Sequence, residues 1–351
     1  MCQDKKYILS IVISCYNAGH YIDRCLKSVF GQVLEKDSFQ VLLIDDASSD
    51  NTYEKLKIWE QKYPEQILLF HNQENLRQGT CRNIGMRYAT GKYIGFVDAD
   101  DWISPDMYKK LIFYGEQRQC EVVTCELSIE WGNEKYTDED LYQEKQYKHF
   151  LLDDDAKTEF IAYNIIKTYV VTKLYRRDFL VKNSICFPEG IIFEDHLFIE
   201  LVNVYVSSVV WINEKLYHYC MTPNSTVRTL NSVAHYDIVL ASEYMWREFE
   251  ERNLFTKSYW NSLEYRFIYY NWFVALKVLV VSHNPIPYDV IWWLREYILT
   301  KVPNYHTNWL IEGGFKEGSK EKIKLKLLDC TLKKKDLITI LDKIKKSQLF
   351  I

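Results

Sequence analysis

The sequence predicts an α/β protein with a doubly wound, mostly parallel sheet and a helical region appended at its C-terminal end. Two observations indicate this class. In the N-terminal half, short apolar runs rich in β-branched residues alternate with segments whose apolar residues recur at helical spacing. Beyond Asn231 the strand pattern gives way to helical segments rich in Tyr and Trp. We therefore expect two domains, residues 1–230 and 231–351.

The alternation can be followed element by element. The expected strands are Tyr7 to Tyr16, Phe39 to Ser48, Ile67 to Asn72 and Tyr93 to Val97. The helices between them are expected from Ile22 to Phe30, from Asn51 to Tyr63 and from Gly79 to Gly91, with another starting at Ser104 and Pro105. Strands joined by such helices form a Rossmann-like sheet, whose ligands bind outside the carboxyl ends of the strands.

The pattern is weaker in the middle of the chain. From about Glu130 to Glu159 an acidic and aromatic segment is expected to be an irregular connector. Strand and helix signals then resume, and "EDHLFIELVNVYVS" predicts an amphipathic helix that begins at Glu194 and Asp195.

Composition excludes several classes of protein. The chain has 351 residues and a net charge of -4, so it lacks the basic footprint that nucleic-acid binding requires. Its nine cysteines contain no CxxC pair, which favours free thiols in a reducing compartment. The first strand follows the N-terminus directly, without a signal peptide, and the apolar stretch from Ile268 to Ser282 is too short to cross a bilayer. We expect a cytoplasmic protein.

Polar side chains stand at the ends of three predicted strands. They are Ser14, Tyr16 and Asn17 after the first strand, Asp45 and Asp46 after the second, and Asp98, Asp100 and Asp101 after the fourth. Three crowded carboxylates repel each other unless a positive group lies among them. A divalent cation, Mn²⁺ or Mg²⁺, would supply that charge, since hard cations take carboxylate oxygens. The alternative is that these carboxylates only form turns and helix caps.

Four ordered motifs carry a resemblance to a known family. The segments "ISCYNAGHYIDRCLKSVFGQ", "LLIDDASSDNT", "NLRQGTCRNIGMRYATGKYIGFVDADDW" and "IIFEDHLF" resemble those of family 2 glycosyltransferases, which have the A-type nucleotide-sugar fold. The resemblance extends from about Ile8 to Arg228 and leaves the C-terminal third unassigned.

The resemblance implies roles for the strand-end residues in binding a UDP-sugar. Ser14, Tyr16 and Asn17 would lie at the nucleotide, Asp46 would accept the uracil imide proton, and Arg82 would face the base or the phosphates. Asp98 would bind the ribose hydroxyls, Asp100 would hold the metal, and Asp101 would face the acceptor. The alternatives are an Asx turn for Asp46 and a surface position for Arg82.

The resemblance also implies an inverting transfer of a hexose or N-acetylhexosamine to a glycan hydroxyl. Asp195 would be the general base, with Glu194 beside it, although both could simply favour the start of their helix. Ser225 and Arg228 would close over the diphosphate. His218 is a candidate metal or phosphate contact, but a lone histidine on a strand is more often structural.

The lysine-rich C-terminal segment suits an acceptor held in a membrane, because basic helices attract anionic lipid headgroups. A lipid-linked intermediate of a bacterial surface polysaccharide is therefore the expected acceptor. A solvated helix face and a homodimer contact are the alternatives.

Two other classes of function are alternatives to the glycosyltransferase interpretation. An oxidoreductase would share the sheet, but "CYNAGH" stands where G-x-G-x-x-G would follow the first strand. A non-catalytic nucleotide-sugar-binding subunit would keep Asp46 and lose the metal or base residues, whereas Asp98, Asp100 and Asp195 are all present.

Overall fold

The computed structural model describes residues 7–131, 147–221, 229–313, 319–329 and 331–347. The strands are β1 (Leu9–Cys15), β2 (Phe39–Asp45), β3 (Ile67–His71), β4 (Tyr93–Phe96), β5 (Trp102–Ile103), β6 (Val122–Trp131), β7 (Tyr147–Leu151), β8 (Lys173–Arg176) and β9 (Ser208–Met221). The helices are α1 (Ile22–Phe30), α2 (Thr52–Lys62), α3 (Arg77–Tyr88), α4 (Met107–Arg118), α5 (Asp154–Ala162), α6 (Arg177–Lys182), α7 (Glu194–Tyr205), α8 (Asp237–Glu251), α9 (Trp260–Ile268), α10 (Ala275–Val281), α11 (Tyr288–Lys301), α12 (Trp309–Glu312), α13 (Lys320–Lys326) and α14 (Lys334–Lys346).

The strands form one nine-stranded sheet in the order β3-β2-β1-β4-β8-β6-β9-β5, and β7 pairs with β9. β1 is parallel to β2 and β4, and β2 is parallel to β3. Beyond β4 the sheet is mixed, because β8 is antiparallel to β4 and β6, whereas β9 is parallel to β6 and antiparallel to β5 and β7. The predicted α/β class is confirmed, and the Rossmann-like part is the parallel half from β3 to β4.

In the parallel half, β1, β2 and β4 are buried on both faces, which explains their continuous apolar runs, whereas the edge strand β3 is partly exposed. Every residue of β2 is buried, and in β1 only Ser14 is partly exposed. α3 packs closely on this half: a Cβ on Gly85 would lie 2.3 Å from Cγ1 of Val12, so only glycine fits there. The register pairs Cys15 with Asp45 and Asp45 with His71, so the carboxyl ends of three strands lie side by side.

Two expectations about local structure need correction. The helix expected to end at Gly91 ends at Tyr88 instead, and a Cβ on Gly91 would lie 2.6 Å from the backbone of Leu9, so this glycine permits a close approach to β1. The irregular connector expected between Glu130 and Glu159 contains regular structure, since β7 and the beginning of α5 fall within it. Residues 132–146 of that segment lie outside the described part of the chain.

The described residues fall into two compact units. One comprises Met1–Asp153, Ile166–Gly190 and Leu201–Pro223, and the other comprises Asp154–Ile165, Ile191–Glu200 and Asn224–Ile351. The second unit contains the expected C-terminal helices, so a helical C-terminal region is confirmed. The domain boundary near residue 230 stays a prediction, because two segments of the predicted first domain, residues 1–230, also belong to the second unit.

The core of the second unit is aromatic. Trp272 and Phe267 are fully buried there, and α9 continues into a π-helix, Tyr269–Val274, before α10 begins. Within the described ranges, no helix combines the length and apolar character needed to span a membrane. The described cysteines are all free thiols, and each of them except Cys186 is buried.

Candidate active site

The three aspartates after β4 occupy different environments. Asp101 is fully buried, and its carboxylate accepts hydrogen bonds from Oη of Tyr217 at 2.6 Å and from the backbone N–H of Cys220 at 2.7 Å. Burial, and then the charges of Asp98 and Asp100, raise the pKa of Asp101 well above its usual range. The repulsion predicted from the sequence is therefore present in the structure.

The buried position of Asp101 bears on its expected role at the acceptor. Both of its carboxylate oxygens are engaged by β9, the strand that carries Tyr217 and Cys220. In this conformation the carboxylate supports the turn after β4 and is not presented to solvent. A role for Asp101 at the acceptor stays a prediction, which this geometry does not favour.

Asp98 is held from α3. One carboxylate oxygen, Oδ1, accepts hydrogen bonds from Arg82 at 2.9 Å and from Nε2 of Gln78 at 2.7 Å. The backbone N–H of Asp98 donates to Oη of Tyr217 at 3.1 Å. A quarter of the Asp98 side chain remains exposed, so it can still reach a ligand.

Arg82 is a buried residue, and the surface position considered for it is wrong. Its side chain is 5% exposed, and its guanidinium lies 5.3 Å from the ring centre of Phe187. These contacts and the ion pair with Asp98 fix the positive charge at the carboxyl end of β4. A direct contact of Arg82 with a base or phosphate stays a prediction.

Asp100 is half-buried, in contrast to Asp101. Its backbone carbonyl accepts a hydrogen bond from Nη2 of Arg24 at 2.5 Å, which anchors the turn to α1. Asp98 and Asp100 thus place two hard oxygen donors at one strand end, with Arg24 and Arg82 nearby. In the described ranges, no group of three or more His, Cys, Asp or Glu side chains is arranged to hold a metal ion.

Asp46 organises the connection between β3 and α3. Its Oδ1 accepts from Nδ2 of Asn72 and the N–H of Leu76, both at 2.8 Å, and its Oδ2 accepts from the N–H of Arg77 at 2.9 Å. The Asx turn considered for Asp46 is not among these bonds, whereas the neighbouring Asp45 accepts from the N–H of Ser48 at 3.3 Å. The thiol of Cys81 also hydrogen-bonds to Asp46, so the four acceptor positions of this buried carboxylate are all engaged within the protein.

The end of β1 is tied to the end of β2. Asn17 has a left-handed φ of 49°, its N–H donates to Oγ of Ser48 at 3.0 Å, and its Oδ1 accepts from the N–H of Ser49 at 2.8 Å. Ser14 is half-buried, and the side chain of Tyr16 is 52% exposed. This corner therefore offers an accessible aromatic ring on a fixed backbone.

Asp195 and Glu194 form the first turn of α7, as expected. The Asp195 side chain is 36% exposed, and its Oδ1 lies 3.9 Å from Nε2 of His196. Glu194 is buried. Both residues belong to the second compact unit, whereas the strand-end residues belong to the first.

The contacts of His218 favour the structural alternative, and a metal or phosphate contact stays a prediction. Its Nε2 lies 2.9 Å from Oγ of Ser104, and its Nδ1 lies 2.8 Å from Oγ of Ser128 and 3.0 Å from Oε1 of Glu130. The ring also stacks on Trp102, with centroids 3.5 Å apart. Ser225 and Arg228 lie outside the described residues.

Gln78 and Tyr217 contribute to the site, and the sequence did not identify them. Tyr217 reaches both Asp98 and Asp101 across more than a hundred positions of sequence, and no motif connects these residues. Gln78 precedes Arg82 by one helical turn, so helical spacing from Arg82 could have suggested it.

The fold and this cluster define a class of protein: an α/β protein with polar side chains gathered at the carboxyl ends of parallel strands, where such sheets bind their ligands. Residues 10–180 match the profile of glycosyl transferase family 2. Residues 10–180 therefore form a family 2 glycosyltransferase domain, as the motifs predicted.

Two proteins of known sequence are similar to this chain. It is 29% identical to the uncharacterized glycosyltransferase YibD of Escherichia coli K12, over 65% of this chain and 67% of YibD. It is 27% identical to the poly(ribitol-phosphate) beta-N-acetylglucosaminyltransferase TarS of Staphylococcus aureus MW2, over 60% of this chain and 35% of TarS. The chain thus matches only about a third of the length of TarS.

Solved structures agree on the fold. Residues 1–349 of S. aureus TarS, crystallised in complex with UDP-GlcNAc, align with a TM-score of 0.60 and 18% identity, over 88% of this chain and 93% of the other. The mannosyltransferase PcManGT from Pyrobaculum calidifontis, in complex with GDP-Man and Mn²⁺, aligns with a TM-score of 0.51 and 13% identity, over 98% and 88% of the two chains.

Proposed function

We propose that this chain is an inverting, metal-dependent transferase that moves a hexose or N-acetylhexosamine from a UDP-sugar to a hydroxyl group of a glycan. The observation that carries the proposal is the arrangement after β4. There, Asp98 is held by Arg82 and Gln78, and the half-buried Asp100 lies two residues further along. A nucleoside diphosphate bound here would meet the carboxylates of Asp98 and Asp100 and the fixed positive charge of Arg82.

The nucleotide would bind at the ends of β1 and β2. Asp46 would accept the single imide N–H of uracil in place of the thiol of Cys81, the weakest of its internal donors. The exposed ring of Tyr16, beside Ser14 and Asn17, can stack on the base. The likeness to TarS, which was crystallised with UDP-GlcNAc, supports uridine as the nucleoside.

The donor set suits a divalent cation whose remaining ligands are water and diphosphate oxygens. Asp100, with Asp98 close by, offers the one or two carboxylates with which a protein commonly holds Mg²⁺ beside a substrate phosphate, and Mn²⁺ accepts the same ligands. The pKa of Asp101 is raised by burial first and then by the charges of Asp98 and Asp100, and a positive neighbour would offset this second effect. When bound, Mn²⁺ or Mg²⁺ would stabilise the charge that develops on the departing UDP.

The acceptor hydroxyl must lose its proton as it attacks the anomeric carbon. Asp195 is the proposed general base, because its carboxylate is partly exposed at the start of a helix. Glu194, which is buried beside it, would support the same turn. Attack from the face opposite UDP inverts the configuration at the anomeric carbon.

The acceptor is proposed to be a lipid-linked or surface polysaccharide intermediate on the cytoplasmic side of a bacterial membrane. α14 supports this proposal: Leu337, Leu341 and Ile344 face the protein, whereas Lys335 and Lys343 are exposed. Such a face can approach anionic headgroups. A homodimer contact through the same face is the competing proposal.

A thermal-shift screen tests the function. Purified protein is melted with UDP, GDP, NAD⁺ and several UDP-sugars, each with Mn²⁺ and with EDTA, because a ligand that binds the folded state raises Tm. We expect stabilisation by UDP and by one UDP-sugar that requires the metal. Stabilisation by NAD⁺, or by none of these ligands, would contradict the proposal. UDP binding without any release of UDP from a UDP-sugar would favour the non-catalytic subunit.

A further inference from the structure

A buried ion pair lies behind the first turn of α7. Nε of Arg266 donates to Oε1 of Glu200 at 2.8 Å, and the two side chains are 3% and 0% exposed. Oε2 of Glu200 and Nη2 of Arg266 are also buried, and neither has a hydrogen-bond partner among the described residues. A buried pair that is incompletely satisfied is a weak source of stability, so its presence suggests another role.

Arg266 also contacts the π-helix that follows α9. Its guanidinium lies 4.3 Å from the ring centre of Tyr270, the second residue of this π-helix. A π-helical turn is rare and is found frequently at functional sites, because it changes which side chains share a face. Here it leaves the Tyr270 ring against Arg266, and the ring is almost fully buried.

The same tyrosine ring supports the residue next to Asp195. His196 stacks on Tyr270, with ring centroids 4.2 Å apart and an interplanar angle of 21°. His196 and Glu200 are four residues apart on α7 and therefore lie on one face of the helix. Tyr270 contacts His196 and Arg266 contacts Glu200, so the beginning of α7 is held at two positions one helical turn apart.

The surroundings of His196 disfavour its charged form. Burial lowers the pKa of His196, and the charge of Arg266 lowers it further, against the opposing effects of Asp195 and Glu200.

We infer that Tyr270 and Arg266 are positioning residues that, through His196 and Glu200, fix the first turn of α7 and the direction of the Asp195 carboxylate. This inference rests on the proposed role of Asp195 as the general base. It also gives a role to His196, which the sequence motif "EDHLF" contains but does not explain. The competing explanation is that the cluster is ordinary core packing.

The test compares two substitutions of one ring. Tyr270→Leu removes the stacking surface, whereas Tyr270→Phe keeps it. Arg295→Lys serves as a matched control, because Arg295 is equally buried in the same unit and donates to the carbonyl of Leu327 at 3.0 Å. If the cluster is only packing, Tyr270→Leu and Arg295→Lys should differ from the wild type in thermal stability alone.

The first readout is hydrogen exchange measured by mass spectrometry on peptides that cover residues 191–200. It requires no substrate. We expect faster exchange there in Tyr270→Leu, and exchange like that of the wild type in Tyr270→Phe and Arg295→Lys. Unchanged exchange in Tyr270→Leu would overturn the inference.

The second readout is the release of UDP from UDP-GlcNAc, UDP-glucose and UDP-galactose, supplied in turn. We expect kcat of Tyr270→Leu to fall roughly 10-fold to 100-fold, the size of effect that a misplaced group produces, while KM for the donor changes by no more than about twofold. Tyr270→Phe should restore the rate. Equal loss in both tyrosine variants, or loss through KM, would overturn the inference.

Asp195→Asn separates this inference from the proposed function. If Asp195→Asn releases UDP as fast as the wild type, Asp195 is not the base and the proposed mechanism fails. If Asp195→Asn is inactive while Tyr270→Leu keeps the wild-type kcat, the mechanism stands and the positioning role is wrong.

Discussion

Replacing Tyr217 by Phe should destabilise the first compact unit, because one hydroxyl serves two partners. Oη of Tyr217 donates to Asp101 at 2.6 Å and accepts from the N–H of Asp98 at 3.1 Å, and the tyrosine is fully buried. Phe keeps the ring and removes both bonds. The change therefore isolates the contribution of the hydroxyl.

The size of the effect follows from the kinds of bond that are lost. The raised pKa of Asp101, about 9, keeps its carboxyl mostly protonated at pH 7, so both lost bonds are between neutral groups. A neutral hydrogen bond contributes about 1 kcal/mol, so the loss is about 2 kcal/mol. For a unit of roughly this size, each kcal/mol lowers Tm by about 2–4 °C, which predicts a decrease of roughly 4–8 °C.

Differential scanning fluorimetry at pH 7 measures this decrease, and Tyr108→Phe is the matched control. Tyr108 is just as buried in the same unit, but no described residue hydrogen-bonds to its hydroxyl. Removing that hydroxyl should leave Tm unchanged or raise it. If Tyr217→Phe lowered Tm no more than Tyr108→Phe does, the bridging role assigned to Tyr217 would be refuted.

Three further predictions concern the chemistry and the pH dependence. Asp195→Asn should lower kcat for transfer roughly 10²-fold to 10⁴-fold and leave the Kd of UDP nearly unchanged, as measured by calorimetry; a parallel loss of UDP affinity would exclude a role as base alone. Asp100→Asn should remove the part of UDP affinity that depends on Mn²⁺, measured against EDTA, and an unchanged Mn²⁺ dependence would exclude Asp100 as the metal ligand. Burial lowers the pKa of Lys324 to about 8. Between this pH and about 10.4, the unfolded chain therefore binds more protons than the folded protein does, and the free energy of unfolding rises with pH. Lys324→Met should abolish this rise in thermal melts recorded from about pH 7.5 to 10, and a rise equal to that of the wild type would assign it to another group.

The sequence predicted the parallel half of the sheet well because three of its four strands, β1, β2 and β4, are buried on both faces. Such strands read as uninterrupted apolar runs, as in β1 and β2, and glycine and proline separate them from helices of clear periodicity. The two-residue β5 and the half-exposed β7 were missed because they are held by pairing with β9, which no local pattern records. The length of α3 was overestimated because Gly91 packs against β1 and does not cap the helix.

The candidate site also has features that the sequence predicted and features that only the structure showed. The rule that ligands bind at the carboxyl ends of parallel strands predicted Asp46, Asp98 and Asp100 as site residues, since they follow the strands directly. Their roles stay predictions. The family resemblance, which the match over residues 10–180 confirms, supplied the glycosyltransferase class. Local chemistry and motif order were sufficient for these predictions.

Only the tertiary structure decided what each of these carboxylates contacts. It buries Asp101 against Tyr217 and Cys220, joins Asp98 to Arg82 and Gln78, and engages both ring nitrogens of His218. Burial, and the charges brought close by residues distant in sequence, determine whether a carboxylate is a structural acceptor or remains available to a ligand. Those quantities depend on which strands pair, and so on the folded sheet.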